Sequence, residues 1–130
     1  MVGIDTNVLV RFFEANDDAR QTAAARELVR EAAPVFVNPV VLAEFAWTLR
    51  TVFKLGHAAI HDRLAGIVEA PEFSVAFPDA TARAVTQYES GAADFADYLI
   101  GELNVAWGCE NTLTFDKAAT KSGAFRYLES

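Results

Sequence analysis

The sequence has few of the residues that mark several common protein classes. Cys109 is the only cysteine among 130 residues, which excludes an internal disulfide and a CxxC metal or redox motif. A single thiol is typical of a reducing compartment, so we expect a cytoplasmic protein. No apolar run is long enough for a membrane span, and Met1–Asp5 has no basic segment typical of a signal peptide. The 4 prolines and 7 glycines are too few for a collagen-like or low-complexity chain.

Basic residues are also in the minority. The chain has 11 lysines and arginines against 18 aspartates and glutamates, a formal net charge of −7. This balance argues against a protein that binds nucleic acid through a broad basic surface. It leaves open a few local cations, and it favours a chain that concentrates carboxylates at one place.

Short apolar segments alternate with longer helical patterns. The predicted strands are Val2–Ile4, Val35–Val37, Phe73–Val75, Thr112–Phe115 and, as a further edge strand, Phe125–Leu128. Helices between such strands predict a parallel sheet with helices on both faces. Asn16–Asp18 is expected to end the first helix and cap the second. The length fits one domain over residues 1–130.

Two acids directly follow predicted strands. Asp5 comes after the first strand and Asp116 after the fourth, at the strand ends where parallel sheets bind ligands. The alternative for each is a helix N-cap, a position that Asp also favours. Thr114 lies on the same strand face as Asp116, two residues earlier.

Three further acids interrupt apolar sequence. Glu44 is the only charged residue between Glu31 and Arg50, so it either points to solvent or faces a polar cavity. Asp94 and Asp97 share one helical face at i, i+3 spacing, which is unfavourable unless a cation lies near. The alternative is that Asp94 caps the helix and Asp97 occupies its first turn.

Carboxylates without a partner histidine favour Mg²⁺ or Mn²⁺ over zinc. A divalent ion relieves the repulsion between the acids and binds phosphate oxygens. The chemistry that fits is metal-assisted attack of water on a phosphodiester. His57 and His61 have the i, i+4 spacing of a zinc helix but lack the accompanying Glu and a third ligand, so a solvated helix face is favoured.

Four motifs together resemble the PIN domain, in particular the VapC toxin branch of bacterial toxin–antitoxin pairs. They are Ile4–Leu9, Leu42–Glu44, Asp94–Ile100 and Leu113–Asp116. The resemblance implies a three-layer α/β/α domain with a central parallel sheet of four or five short strands. It also implies a Mg-dependent endoribonuclease that cuts tRNA or another structured RNA with metal-activated water. The expected partners are a second copy in a homodimer and a VapB-like antitoxin.

By the same resemblance, the chain carries an acidic quartet of Asp5, Glu44, Asp97 and Asp116. Asp5 and Asp97 are expected to bind the metal directly, and the other two directly or through water. The supporting polar residues are Asn7, Thr114 and Asp94. Family members often have a small residue in place of Tyr98, so its ring is expected either to narrow the approach to the site or to fill the core.

Scattered basic residues are the candidates for contacts with RNA phosphates. They are Arg11, Arg50, Lys54, Lys117 and Lys121. Two alternative functions stay open at this stage. One is a non-catalytic module whose acids hold a metal while the protein recruits a partner. The other is an aspartyl-phosphate phosphatase with Asp5 as nucleophile, which is disfavoured because Asn7 replaces its second Asp.

Overall fold

The computed structural model describes residues 1–14 and 18–130, and these form two compact units, residues 1–76 and 77–130. The expected turn at Asn16 and Asp17 lies outside the described residues. In the described part of the chain, no helix is both long enough and apolar enough to cross a membrane. The expectation of a single domain over residues 1–130 stays a prediction.

The first unit contains a three-stranded parallel sheet and four helices among its described residues. Its elements are β1 (Gly3–Ile4), α1 (Thr6–Phe13), α2 (Ala19–Ala32), β2 (Val35–Val37), α3 (Pro39–Thr51), α4 (His57–Glu69) and β3 (Phe73–Val75). The strand order is β1-β2-β3, with Ile4 opposite Val37 and Val37 opposite Val75. The carboxyl ends of the three strands therefore lie at one edge of this sheet.

Local capping residues begin the helices of the first unit. Asp5 is the N-cap of α1, which is the alternative position that the sequence offers for this acid. Asp18 caps α2 by accepting a hydrogen bond from the Gln21 amide, as predicted. Asn38 caps α3, and the proline that follows it suits the first helical position because that position needs no amide hydrogen.

A cluster of aromatic rings adds to the mainly aliphatic core of the first unit. Phe12 and Phe13 lie edge to face at 4.9 Å between centroids, and both also contact Phe73. Phe45 is fully buried and its ring lies 5.6 Å from that of Phe13. This packing fixes α1 and α3 against the sheet, so the residues at their first turns have defined positions.

The second unit contains two long helices, a short 3₁₀ helix and a two-stranded parallel sheet. Its elements are α5 (Pro78–Ser90), α6 (Phe95–Trp107), β4 (Thr112–Thr114), the 3₁₀ helix (Lys117–Ser122) and β5 (Phe125–Tyr127). Gly108 ends α6 in the left-handed region, with φ of 111°, as its sequence position predicts. Tyr88 and Phe95 meet edge to face between α5 and α6.

The predicted α/β class with short parallel strands is confirmed. The sheet differs from the prediction in one respect: the described strands pair as a group of three and a group of two instead of one continuous sheet. Each strand has only two or three residues, so each ladder contains few hydrogen bonds. Sequence pattern identifies the strands but carries little information on which strands pair.

Candidate metal and active site

Asp5 is held at the carboxyl end of β1 by its own capping bond. Its Oδ1 accepts a hydrogen bond of 3.1 Å from the Val8 amide. A carboxylate has two oxygens, so this bond orients the side chain and leaves Oδ2 for another ligand. The capping and metal-binding interpretations of Asp5 are therefore compatible.

Glu44 is tied to the helix that follows Asp5. Thr6 Oγ1 donates a hydrogen bond of 2.7 Å to Glu44 Oε1. Glu44 lies on α3, which begins two residues after β2, and β2 is the strand paired with β1. Adjacent parallel strands thus bring the Asp5–Thr6 segment and the Glu44 helix to the same edge of the first unit's sheet. Glu44 is therefore hydrogen-bonded to Thr6, the residue that directly follows Asp5.

Asn7 and Arg11 belong to a groove beside Asp5. The groove lies between α1 and α2, has a volume of about 350 Å³, and is also lined by Asp5 and Gln21. Asn7 is exposed and Arg11 is half-buried. Arg11 therefore lies beside a carboxylate that is a candidate metal ligand, where a phosphate contact is expected.

Asp94, Asp97 and Asp116 line one small cleft in the second unit, which we call the carboxylate cleft. Its volume is about 300 Å³, and its other lining residues are Ala92, Ala93, Ala118, Ala119 and Lys121. Asp94 is the N-cap of α6, and the Asp97 amide donates to the Asp94 carbonyl oxygen at 3.0 Å. Asp94 thus caps α6 and Asp97 lies in its first turn, as the alternative interpretation of these two acids predicts.

Asp97 carries the clearest electrostatic signal of this cleft. Partial burial raises the pKa of its carboxyl group above the ordinary value, and the nearby charges of Asp94 and Asp116 raise it further. The hydrogen bond with the Asp94 backbone opposes these effects but does not cancel them. The fold therefore holds carboxylates together against their repulsion, as a site for a cation does.

Thr114 fixes the segment that carries Asp116. Its hydroxyl oxygen accepts a 2.9 Å hydrogen bond from the Asp116 amide, and Asp116 Oδ1 accepts one of 2.9 Å from the Ala118 amide. Asp116 is thereby the N-cap of the 3₁₀ helix, with its second oxygen available. Thr114 thus contacts the backbone of Asp116, and its supporting role at the site stays a prediction.

The five candidate RNA-binding residues differ in their surroundings. Lys121 lines the carboxylate cleft, whereas Lys117 lies over the Tyr127 ring, 5.3 Å from its centroid. Arg50 is exposed in the last turn of α3, and Lys54 is exposed with φ of 57°. Of the five, Arg11 and Lys121 lie in clefts that also contain candidate metal ligands.

The donor set fits a hard divalent cation. Among residues 1–14 and 18–130, no three carboxylate, histidine or cysteine side chains already form a metal-holding group. The candidate acids instead divide into two donor sets by unit: Asp5 and Glu44 belong to the first unit, and the three of the carboxylate cleft belong to the second. Carboxylate oxygens suit Mg²⁺ and Mn²⁺. The raised pKa of Asp97 means that its negative charge is disfavoured in the metal-free protein, and a bound cation would favour it.

Sequence reasoning missed three relationships in these regions. The Thr6 bond to Glu44 spans 38 positions, so local pattern gives no signal for it. The Tyr98 hydroxyl accepts a 3.3 Å hydrogen bond from the Ala93 amide, and a Cβ atom at Gly91 would overlap the Tyr98 ring. Buried Glu102 also lies in an apolar stretch, which is the signal that identified Glu44.

Glu102 belongs to a polar network between α5 and α6. Its carboxylate accepts hydrogen bonds from Arg83 Nε at 3.2 Å and from Gln87 Nε2 at 3.3 Å. Gln87 also lines a cleft next to Asp97. This network fixes the packing of the two helices beside the carboxylate cleft.

Fold and donor set together define a helix-rich α/β protein with oxygen ligands suited to divalent metal. The sequence matches the PIN domain over residues 2–122, and the chain belongs to that family. This match confirms the resemblance to the PIN domain. PIN domains are in general metal-dependent nucleases. No curated protein matches the chain.

Proposed function

We propose that the protein is a Mg-dependent endoribonuclease and the toxin component of a VapBC-type toxin–antitoxin pair. The observation that carries the nuclease proposal is the carboxylate cleft of a PIN-family chain, where partial burial, and then the charges of Asp94 and Asp116, raise the pKa of Asp97. The toxin proposal is supported by the motif resemblance to the VapC branch, which covers Ile4–Leu9 and Asp94–Ile100 among others.

In this proposal the quartet of Asp5, Glu44, Asp97 and Asp116 supplies the oxygen ligands. Asp5 and Asp97 bind Mg²⁺, or Mn²⁺, directly, and the other two bind directly or through water. When bound, the ion lowers the pKa of water and neutralises charge that develops on the phosphate. The family membership supports assigning both donor sets to one reaction.

The chain's own polar residues orient these ligands. Thr6 holds one oxygen of Glu44, and the Val8 and Ala118 amides hold one oxygen each of Asp5 and Asp116. Fixed carboxylates lose less freedom when they bind a cation, which favours a defined coordination geometry. Asn7, Thr114 and Asp94 are assigned supporting roles next to the ligands.

RNA is held in this proposal by a few local cations. Arg11 and Lys121 share clefts with candidate ligands, and Arg50, Lys54 and Lys117 are exposed. The net charge of −7 means that RNA binding depends strongly on the divalent ion. The proposed substrates are tRNA or another structured RNA, and the proposed location is the cytoplasm, which the single exposed cysteine supports.

Two protein partners complete the proposal. A homodimer is supported by exposed aromatic side chains, because contact with a second copy would bury them: Trp47 is 58% exposed and Trp107 is 79% exposed. A VapB-like antitoxin is the second partner, and it supplies basic charge that the chain lacks. Sedimentation of the wild type and of Trp47→Ser tests the dimer.

The deciding experiment maps new RNA 5′ ends in cells after brief induction, with wild type and Asp97→Asn in parallel. We expect defined cleavage sites only with the wild type. The purified protein should cut the same RNA with Mg²⁺ and lose activity with EDTA, Asp5→Asn or Asp97→Asn. Robust cleavage by purified Asp97→Asn would contradict the assigned site, and metal-dependent stabilisation without cleavage of any RNA would favour the non-catalytic module.

A further inference from the structure

A second cleft opens in the same unit as the carboxylate cleft and shares part of its wall. It has a volume of about 340 Å³. The residues common to both clefts are Ala92, Ala93, Asp97, Ala118, Ala119 and Lys121. We call the second one the side cleft, defined by the residues that line it alone: Gln87, Ser90, Gly91, Tyr98, Ser122 and Phe125. A ligand group at Asp97 and Lys121 therefore has a neighbouring space in which an attached group can lie.

Part of the wall of the side cleft is apolar and low in side-chain bulk. Gly91 and the alanines that it shares with the carboxylate cleft are small, and Tyr98 and Phe125 add aromatic surface. Tyr98 is fixed because its hydroxyl accepts the Ala93 amide and its ring occupies the space that a Gly91 side chain would need. Small residues and aromatic rings form the type of surface on which a flat heterocycle packs.

Polar groups with unused hydrogen-bonding capacity line the same cleft. The Ser122 hydroxyl oxygen is buried and has no hydrogen-bond partner in the described part of the chain. An unpaired buried hydroxyl is costly, so rotation of the Ser122 side chain towards a ligand group that pairs with its hydroxyl is favourable. Gln87 donates one amide hydrogen to Glu102, which fixes the side chain and leaves its carbonyl oxygen as an acceptor.

We propose that the side cleft binds the base of one unpaired ribonucleotide adjacent to the cleaved phosphodiester, with Ser122 and Gln87 as specificity-determining residues. This inference rests on the proposed ribonuclease function. A nucleobase offers apolar faces to the small and aromatic wall and polar edges to Ser122 and Gln87, while Lys121 lies where the attached phosphate is expected. A base stacked in a duplex cannot enter, so the target nucleotide is in a loop, a bulge or a single strand.

The direct test titrates the wild-type protein with each of the four uncharged ribonucleosides and follows backbone amide resonances, without metal. We expect saturable shifts centred on residues 90–93 and 121–122, with one nucleoside binding about three- to tenfold more tightly than the others because of one or two added hydrogen bonds. Ser122→Ala should reduce that preference, and Ser90→Leu, at an exposed position of the cleft, should abolish the shifts. Absence of saturable shifts there, or shifts confined to another surface, would overturn the proposal.

Cleavage of a randomised single-stranded RNA pool gives the second readout. The wild type should favour one base at a fixed position next to the cut bond, and Ser122→Ala and Ser90→Leu should remove that rate advantage. Ala106→Leu is the matched control, because Ala106 is exposed in the same unit and does not line the side cleft. An unchanged preference in both cleft variants contradicts the proposal and leaves the nuclease function intact. If the wild type cuts no RNA, the proposed nuclease function is wrong, and the nucleoside titration still shows whether the side cleft binds a base.

Discussion

The Thr6 hydroxyl donates a 2.7 Å hydrogen bond to Glu44 Oε1, and this bond joins the first turn of α1 to α3. Asp5 directly precedes Thr6 and caps the same helix. One short segment thus positions two carboxylates that the proposal assigns to the metal. The position of Glu44 depends on this contact because Glu44 is exposed and has a long, flexible side chain.

Thr6→Val tests that dependence, since valine keeps the shape of threonine and removes the donor. We expect kcat/KM for RNA cleavage to fall about three- to tenfold, the effect of one lost hydrogen bond to a charged group at an exposed site. Thr6→Ser should restore activity. Thr51→Val is the control because Thr51 donates to the Trp47 carbonyl oxygen within its own helix. Equal activity losses in Thr6→Val and Thr51→Val would contradict a positioning role for Thr6.

Asp97→Asn should stabilise the metal-free protein while it removes the response to metal. Burial and the charges of Asp94 and Asp116 disfavour the Asp97 carboxylate, and the favourable first-turn position on α6 does not outweigh them. Removing the charge should raise the free energy of unfolding by about 0.5 kcal/mol in EDTA at neutral pH. Thermal unfolding with and without Mg²⁺ checks this, with the exposed Glu110→Gln as control. A destabilised Asp97→Asn in EDTA would disprove the repulsion argument.

The raised pKa of Asp97 also sets the sign of a pH effect in the metal-free protein. The unfolded chain releases the Asp97 proton near the ordinary pKa of about 4, whereas the folded chain releases it at higher pH. Between these two values the folded state binds more protons, so the contribution of Asp97 to stability falls as pH rises and then levels off. Unfolding curves of wild type and Asp97→Asn in EDTA across the acidic range should show this difference. A wild type that gains stability over Asp97→Asn as pH rises would contradict it.

Gly91→Ala should destabilise the protein by steric overlap alone. The φ of Gly91 is −89°, which alanine adopts readily, but a Cβ atom there would overlap the Tyr98 ring and crowd the Gln87 carbonyl oxygen at 2.9 Å. We expect a loss of about 1–3 kcal/mol by chemical denaturation. Tyr98→Leu in the same chain should recover part of that loss, because it removes the overlapping ring. Strictly additive effects of the two substitutions would show that the overlap is not the cause.

Local chemistry predicts much of this site. Asp5 and Asp116 are expected after strands, and Asp94 at the start of a helix, because capping and strand-end positions depend on a few neighbouring residues. The parallel strands and most helix boundaries follow from the same kind of signal. For the α1 cap the local sequence leaves a choice, because Asp5, Thr6 and Asn7 are all good capping residues, and the structure has Asp5 there.

Contacts between distant segments could not be predicted in this way. The pairing of β4 with β5, the Thr6 bond to Glu44 and the fit of Tyr98 over Gly91 depend on how helices and strands pack. The local propensities that can be read from a single sequence do not indicate which distant segments pack together. Glu102 is an intermediate case. An acid within an apolar helix predicts a hydrogen-bonding or charged partner, but the sequence does not show which residue that partner is.

The Glu102 network gives an asymmetric prediction for stability. Glu102 is 8% exposed and its partner Arg83 has a side chain that is 53% exposed. Arg83→Ala leaves a buried carboxylate with Gln87 as its remaining partner among the bonds described, whereas Glu102→Met leaves an arginine that water can solvate. We therefore expect Arg83→Ala to cost about 1–2 kcal/mol and Glu102→Met less, because an uncompensated buried charge is worse than an apolar replacement.

The double variant Arg83→Ala/Glu102→Met separates this explanation from simple loss of contact. If the buried charge is the main cost, adding Glu102→Met to Arg83→Ala should recover stability, and the two effects should be non-additive by about 1 kcal/mol. Chemical denaturation of the four proteins measures the cycle. Arg126→Ala is the control, because Arg126 is exposed on β5 in the same unit. A Glu102→Met variant that is less stable than Arg83→Ala would contradict this explanation, because it would show that an unpaired buried carboxylate is not the larger cost.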